Sequence, residues 1–214
     1  MSTRILLADD HQMVRQGICS LLERGSDIEV VGEARDGREA VQLVRKLQPD
    51  VAVMDISMPN LNGIDATRQI VGEFPQTKVI ALSVHINKMF VVNMLKAGAL
   101  GYVLKENPVE ELVDGVRTVL DGGAYFSPKV AKIVTKAMVN PLPDSPLDVL
   151  SQSERDVFQL ICEGNTTKEI ALKLNKSRKA IEASRRKIMG KLDAHSVPDL
   201  VLIAIDCGVI CLEH

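Results

Sequence analysis

Four short apolar runs in the first half of the chain each end in a polar residue suited to phosphate chemistry. Ile5–Ala8 runs into Asp9 and Asp10, Val51–Met54 into Asp55, Val79–Leu82 into Ser83, and Tyr102–Leu104 into Lys105. If the runs are parallel strands of one sheet, these side chains converge at its carboxyl edge, where open α/β sheets keep their ligand crevice. Three carboxylates, a hydroxyl and an ammonium gathered there make a site for a divalent cation and a phosphoryl group.

The spacing between the runs supports the sheet. Val14, Ile18, Leu21 and Leu22 recur at helical intervals after Asp10, with a stop near Gly25. A strand at Ile28–Val31 leads to a helix through Ala40, Leu43, Val44 and Leu47, ended by Pro49. Further helices are expected over Asp65–Phe74, Lys88–Ala97 and Pro108–Asp121, the last closed by Gly122-Gly123. Five strands alternating with five helices predict a doubly wound five-stranded parallel sheet. Near-continuous Val/Ile/Leu runs suit strands buried on both faces.

The second half reads differently. A helix can run over 127–138, and Asn140–Pro146 holds three prolines, the composition of a linker. From Leu150 only helices are expected, near 152–163, 167–174, 178–192 and 197–206. Ser151 with Glu154 and Thr166 with Glu169 form capping boxes, and Ser177 and Ser196 sit as N-caps. The second and third helices are separated by only Asn175-Lys176-Ser177, the helix-turn-helix signature. The expected organisation is 1–125, a connection over 126–148, and an all-α four-helix domain over 149–211. Residues 212–214, Leu-Glu-His, read as the start of an expression tag.

Charge follows the same division. The net charge of −2 combines 13 basic against 17 acidic residues over 1–125 with 13 against 11 over 126–214. The second half is therefore the basic one. No leader is expected, since Asp9 and Asp10 follow only four apolar residues, and Leu200–Ile205 is far too short to span a bilayer. Cys19, Cys162, Cys207 and Cys211 show no metal-like spacing with histidine and read as reduced thiols of a cytoplasmic protein.

Magnesium takes oxygen ligands and keeps several waters, so a few carboxylates suffice. Asp10 and Asp55 are the expected direct ligands of Mg²⁺, with Asp9 acting through water or by supporting the ligands from behind. Asp55 can also serve as a nucleophile and become an aspartyl phosphate. Lys105 adds fixed positive charge, and the Ser83 hydroxyl can donate to the new phosphate.

Asp9-Asp10, Met54–Pro59 with Gly63, Ser83, Tyr102 and Lys105 resemble a response-regulator receiver domain, in order and spacing, over about residues 1–125. The resemblance implies a flavodoxin-like fold, Asp55 as phosphoacceptor and a sensor histidine kinase as partner. It also implies the Ser57 backbone carbonyl as a third metal ligand, with Ser83 and Tyr102 as switch residues. Ser stands at position 83 where Thr is commoner, and Ser57 and His85 lie where the family varies. Turnover is not expected beyond self-dephosphorylation. The acyl-phosphate phosphohydrolases offer a similar crevice but lack the attached module.

Residues 149–211 resemble the LuxR-type helix-turn-helix through Leu150–Arg155, Glu163-Gly164, Lys168–Ala171 and Ile188–Leu192. Together the two halves are similar to the NarL/FixJ class of transcription factors, which implies promoter DNA as partner. On a 100° wheel Ile181, Ile188 and Leu192 lie within about 20° of one direction, and Lys179, Ala183, Arg186 and Gly190 within about 40° of the opposite one, with Lys187 beside them. That basic stripe, with small residues between the charges, suits a major groove, and Glu182 can accept from a cytosine amino group. Thr167 and Lys168 are placed for backbone phosphate. Arg185 lies about 40° from the core direction and is expected to pair with a carboxylate such as Glu169 and to support the fold rather than read bases.

The usual Thr-Val-x-Val-His of the family appears as Ala180–Ser184, so altered base readout is expected. The helix Val197–Ile205 is apolar nearly all round, which implies a homodimer through it. A phosphorylation-independent binder or adaptor using the first domain as a scaffold is the alternative. Equal DNA affinity for wild type and Asp55→Asn would favour it.

Overall fold

The computed structural model describes residues 2–22, 27–139 and 145–210. The expected stop near Gly25, the segment 140–144, Cys211 and the tag-like 212–214 lie outside the described residues. The chain forms two compact units, residues 1–142 and 143–214.

The first unit alternates strands and helices in chain order. Strands are β1 (Thr3–Ala8), β2 (Ile28–Ala34), β3 (Val51–Met54), β4 (Lys78–Ser83), β5 (Gly101–Leu104) and β6 (Tyr125–Phe126). Helices are α1 (Gln12–Leu22), α2 (Gly37–Leu47), α3 (Gly63–Glu73), α4 (Lys88–Lys96), α5 (Val109–Leu120) and α6 (Pro128–Val139). The sheet is parallel in the order β2-β1-β3-β4-β5-β6. It has six strands, not the expected five. Tyr125 and Phe126 pair with Gly101 and Tyr102 of β5. Two residues are too few to show a strand period, so β6 left no signal in the pattern.

The strand order reverses direction between β1 and β3, which are hydrogen-bonded neighbours with Ala8 opposite Met54. That crossover is the topological switch point, and the acids following both strands flank it. On one face Ile5, Leu7, Val51, Val53, Ile80, Leu82 and Val103 pack with Leu22 of α1 and Leu112, Val116 and Val119 of α5. β3 and β5 are buried along their whole length, which explains their unbroken apolar sequences.

The second unit is all helical. A 3₁₀ turn at Pro146–Val149 precedes α7 (Gln152–Cys162), α8 (Thr167–Lys173), α9 (Arg178–Lys191) and α10 (Val197–Asp206). Capping boxes close the starts of α7, α8 and α10, and Ser177 caps α9. Asn175 takes a left-handed φ of 50° in the turn from α8 to α9, a conformation Asn tolerates better than most residues. Leu147 belongs to this core, beside Phe158, Ile161, Ile170, Ile181, Ile188 and Leu200. Its turn carries a capping box of its own, between Ser145 and Asp148. The end of the expected 126–148 connection thus contributes a capped turn to the helical core.

Candidate phosphate site and nucleic-acid interface

Four groups meet where β1, β3 and β5 end. The Lys105 ammonium lies 2.8 Å from Asp55 Oδ2 and 2.7 Å from Asp9 Oδ2. Asp55 Oδ1 accepts from the Ile56 N–H at 2.8 Å, and the Asp55 N–H donates to the Ala8 carbonyl at 2.8 Å, tying β3 to β1 at the site. Asp9 is fully buried and its Oδ1 accepts from the His11 N–H at 2.9 Å. Asp10 is half-buried, with His11 Nδ1 2.7 Å from its Oδ1.

Burial pushes the Asp55 carboxyl up to about 6; Lys105 opposes the shift, Asp9 adds to it, and the Ile56 N–H opposes it. For Lys105 burial works against the charge, but Asp55 and Asp9 outweigh it and hold the ammonium above its ordinary range. A buried carboxyl raised in this way and facing a fixed ammonium is characteristic of a functional site.

Two backbone devices build this corner. A Cβ on Gly63 would stand 1.8 Å from the Asp55 carbonyl oxygen, so only glycine lets α3 begin against the acid-bearing loop. The Gly63 N–H donates to the Ile56 carbonyl at 2.8 Å. Arg15 was not singled out from sequence, yet its guanidinium donates to the Asp9 carbonyl at 2.6 Å and pairs with Glu33 at 2.9 Å. His11 was also missed. Its position directly after the acidic pair was the one available signal.

Ser83 and Tyr102 converge on a third residue. The buried Ser83 Oγ accepts from the His85 N–H at 3.1 Å, and the Tyr102 hydroxyl donates to the His85 carbonyl at 2.7 Å. The His85 ring stacks on Phe90 of α4 with centroids 4.9 Å apart. Burial, and then the Lys105 charge, lower the His85 pKa. Ser57 sits half-buried in the loop after β3.

Ligand atoms of Asp9, Asp10, His11 and Asp55 lie within 4.8 Å of one another. Three of these donors are hard carboxylate oxygens, a set that fits magnesium; the His11 nitrogen is the poorer match.

In the helical unit Ile181 and Ile188 are buried, as the wheel requires. Lys168, Lys179, Glu182, Arg186 and Lys187 are exposed, and Thr167 and Ala183 half-buried. Arg185 does not pair with Glu169. The Glu169 carboxylate turns back on its own capping box, accepting from the Thr166 N–H at 2.8 Å and the Thr166 hydroxyl at 2.7 Å. Those bonds are the main causes that lower its pKa. A helix-starting glutamate is satisfied locally before it can reach a neighbouring helix. On α10 Leu200 and Ala204 face the core, whereas Leu202 is 62% exposed.

Comparison with known proteins agrees with both halves of this geometry. Residues 5–117 match the response regulator receiver domain and residues 148–204 the luxR family of bacterial regulatory proteins. The oxygen regulatory protein NreC of Staphylococcus carnosus is 41% identical over 209 residues, covering 94% of this chain and 96% of the relative. The transcriptional regulatory protein DegU of Brevibacillus brevis is 35% identical, covering 96% and 94%. A solved complex of the response regulator RcsB with DNA aligns at a TM-score of 0.61 and 28% identity, over 97% of this chain and 99% of that one. No described helix is long and apolar enough to cross a membrane. The chain belongs to the two-component response regulators that join a receiver domain to a LuxR-type DNA-binding domain.

Proposed function

We propose that Asp55 is the phosphoacceptor, that a sensor histidine kinase is its donor, and that the phosphorylated chain controls transcription by binding promoter DNA in the bacterial cytoplasm. The observation that carries this reading is the Lys105 ammonium held between Asp55 and Asp9 at the strand ends. Asp10, Asp55 and the Ser57 carbonyl would hold Mg²⁺, with Asp9 behind them. The ion supplies neutralisation of phosphoryl oxygens when bound. Asp55 offers the attacking oxygen, and Lys105 is within reach of the charge that arrives on it. The Ser83 hydroxyl donates to the new phosphate. Because the same Oγ accepts from the His85 N–H, and the His85 carbonyl holds the Tyr102 hydroxyl, a movement of Ser83 draws both along. The site serves as an input, and multiple turnover is not expected of it.

On the output side Lys179, Glu182, Ala183, Arg186 and Lys187 face base edges, while Thr167 and Lys168 meet phosphate. The exposed Leu202 on α10 supports homodimerisation through Val197 to Ile205, which would match a two-fold repeat in DNA.

The test is phosphorylation by acetyl phosphate with Mg²⁺, followed by mass spectrometry and DNA-binding titration. Wild type should gain one phosphoryl group, lost in Asp55→Asn, and bind a selected duplex more tightly once modified. A phosphoryl group on another residue, or equal DNA affinity with and without it, would overturn the reading.

A further inference from the structure

The failure of Arg185 to find its expected partner leaves a cation to be explained. Among the described residues its side chain makes no ion pair or hydrogen bond. It lines a cavity of about 340 Å³ whose floor is apolar, formed by Ile161, Ile170 and Ile181, and whose polar edge includes Thr166 and Thr167. No carboxylate lines it. The residue is half-buried, and an arginine in such a place lays its methylenes on the apolar floor and brings its guanidinium to the edge.

That edge has a particular place in the fold. Thr167 opens α8, the first helix of the helix-turn-helix pair, and exposed Lys168 follows it. In this motif the first helix crosses the DNA backbone while the second enters the groove. We propose that Arg185 is a backbone-phosphate contact, reaching out of the α8–α9 cavity to a phosphodiester that passes Thr167. The inference rests on the DNA-binding reading above and adds to it a residue which that reading leaves out. A guanidinium matches a phosphodiester with two parallel hydrogen bonds, and a phosphate contact carries no base information. Arg185 therefore sets affinity and register, whereas Arg186, on the opposite stripe, reads sequence. A small organic anion is the competing occupant, since the volume lies at the low end of small-molecule pockets. The nearby Glu169 carboxylate is held in its own capping box, no carboxylate lines the cavity itself, and the company of Lys168 favours the continuous polyanion.

Fluorescence anisotropy on the full chain separates these cases, using a duplex selected by wild type from a random pool and a scrambled duplex, across a salt series. Arg185→Gln should weaken both duplexes by the same factor, about tenfold, as expected for one charged hydrogen-bonding contact. The slope of log affinity against log salt should fall by about 0.9. Thermal unfolding of the helical unit should stay within about 2 °C of wild type, the shift allowed for a surface change. Arg185→Lys should keep the slope, and Arg186→Ala should weaken the selected duplex far more than the scrambled one. An unchanged slope in Arg185→Gln overturns the proposal, as does a slope change accompanied by loss of the thermal transition in both Arg185 variants. Stabilisation of wild type, but not Arg185→Gln, by benzoate would assign the cavity to small carboxylates and sink it too. If wild type fails to discriminate the duplexes, the DNA-binding reading itself has failed. If it discriminates and only the slope prediction is missed, the fault lies with Arg185 alone.

Discussion

The two units hold their perturbed carboxylates in opposite ways. In the receiver Asp55 is buried beside Asp9 and its pKa rises to about 6. In the helical unit Glu154 falls to about 2 through the Lys191 ammonium and the Ser151 N–H, Glu169 is lowered by the Thr166 hydroxyl and N–H of its capping box, and Asp199 by the His195 N–H and then the Ser196 hydroxyl. The signs of the linkage follow. Asp55 takes up its proton more readily folded than unfolded, so its burial opposes folding above pH 6 and the penalty fades as pH falls toward 4. The capping acids stabilise above the ordinary carboxylate range and lose that contribution as pH falls through their lowered values. A carboxylate kept at a cost marks where the chain does chemistry; one kept at a gain marks where it holds its shape.

The largest effect that can break this contrast is steric. Gly63→Ala puts a Cβ 1.8 Å from the Asp55 carbonyl, where backbone must move. We expect a loss of at least about 3 kcal/mol in the first unit, together with loss of phosphoryl uptake. Gly72 lies in the same helix with nothing within 4 Å of its Cβ position. Gly72→Ala should instead stabilise by about 0.5–1 kcal/mol. Similar denaturation midpoints for the two variants would refute the account of how α3 meets the acid.

Asp55→Asn comes next. Without metal it should raise the stability of the first unit at pH 7 by up to about 3 kcal/mol, the ceiling set by the shift from 3.8 to about 6. The measured gain should be smaller because Lys105 loses one of its two partners. The difference should shrink to nothing below about pH 3, under both values, and a gain that persists there would mean that packing, not charge, is responsible. Tyr102→Phe removes only the hydroxyl that meets the His85 carbonyl, for about 1 kcal/mol in a thermal melt. A larger loss would make Tyr102 a core residue first and a switch second.

Much of this contrast is legible in the sequence. Asp9, Asp10, Asp55, Ser83 and Lys105 stood out because strand ends converge in a parallel sheet, a rule of topology that needs only the order of apolar runs. The capping boxes were equally readable, since Ser151 with Glu154 and Thr166 with Glu169 act within one turn. What escaped detection depends on distance in space rather than in sequence. β6 is two residues long and exists through its pairing with β5. His85 joins Ser83 to Tyr102 through backbone groups that no side-chain pattern encodes. The pairing of Arg185 with Glu169 failed because a local capping bond took the carboxylate first.

The smallest effect tests the other side of the comparison. Glu154 accepts from the Ser151 N–H at 2.8 Å and pairs with Lys191 at 2.7 Å, linking the start of α7 to the end of α9. Its Lys191 partner is 41% exposed, so solvent screening reduces the full shift to about 1 kcal/mol of stability at neutral pH. Glu154→Gln keeps the shape and most of the cap but loses the charge. It should lower the midpoint of the helical unit at pH 7, with the deficit shrinking as salt rises and vanishing below pH 2, where wild type is protonated as well. Lys191→Met should reproduce the deficit, and the double variant should add little to either single one. If the two changes add in full, Glu154 owes its lowered pKa to the cap alone. The helical unit would then hold its shape one helix at a time, with no charge bond from α7 to α9.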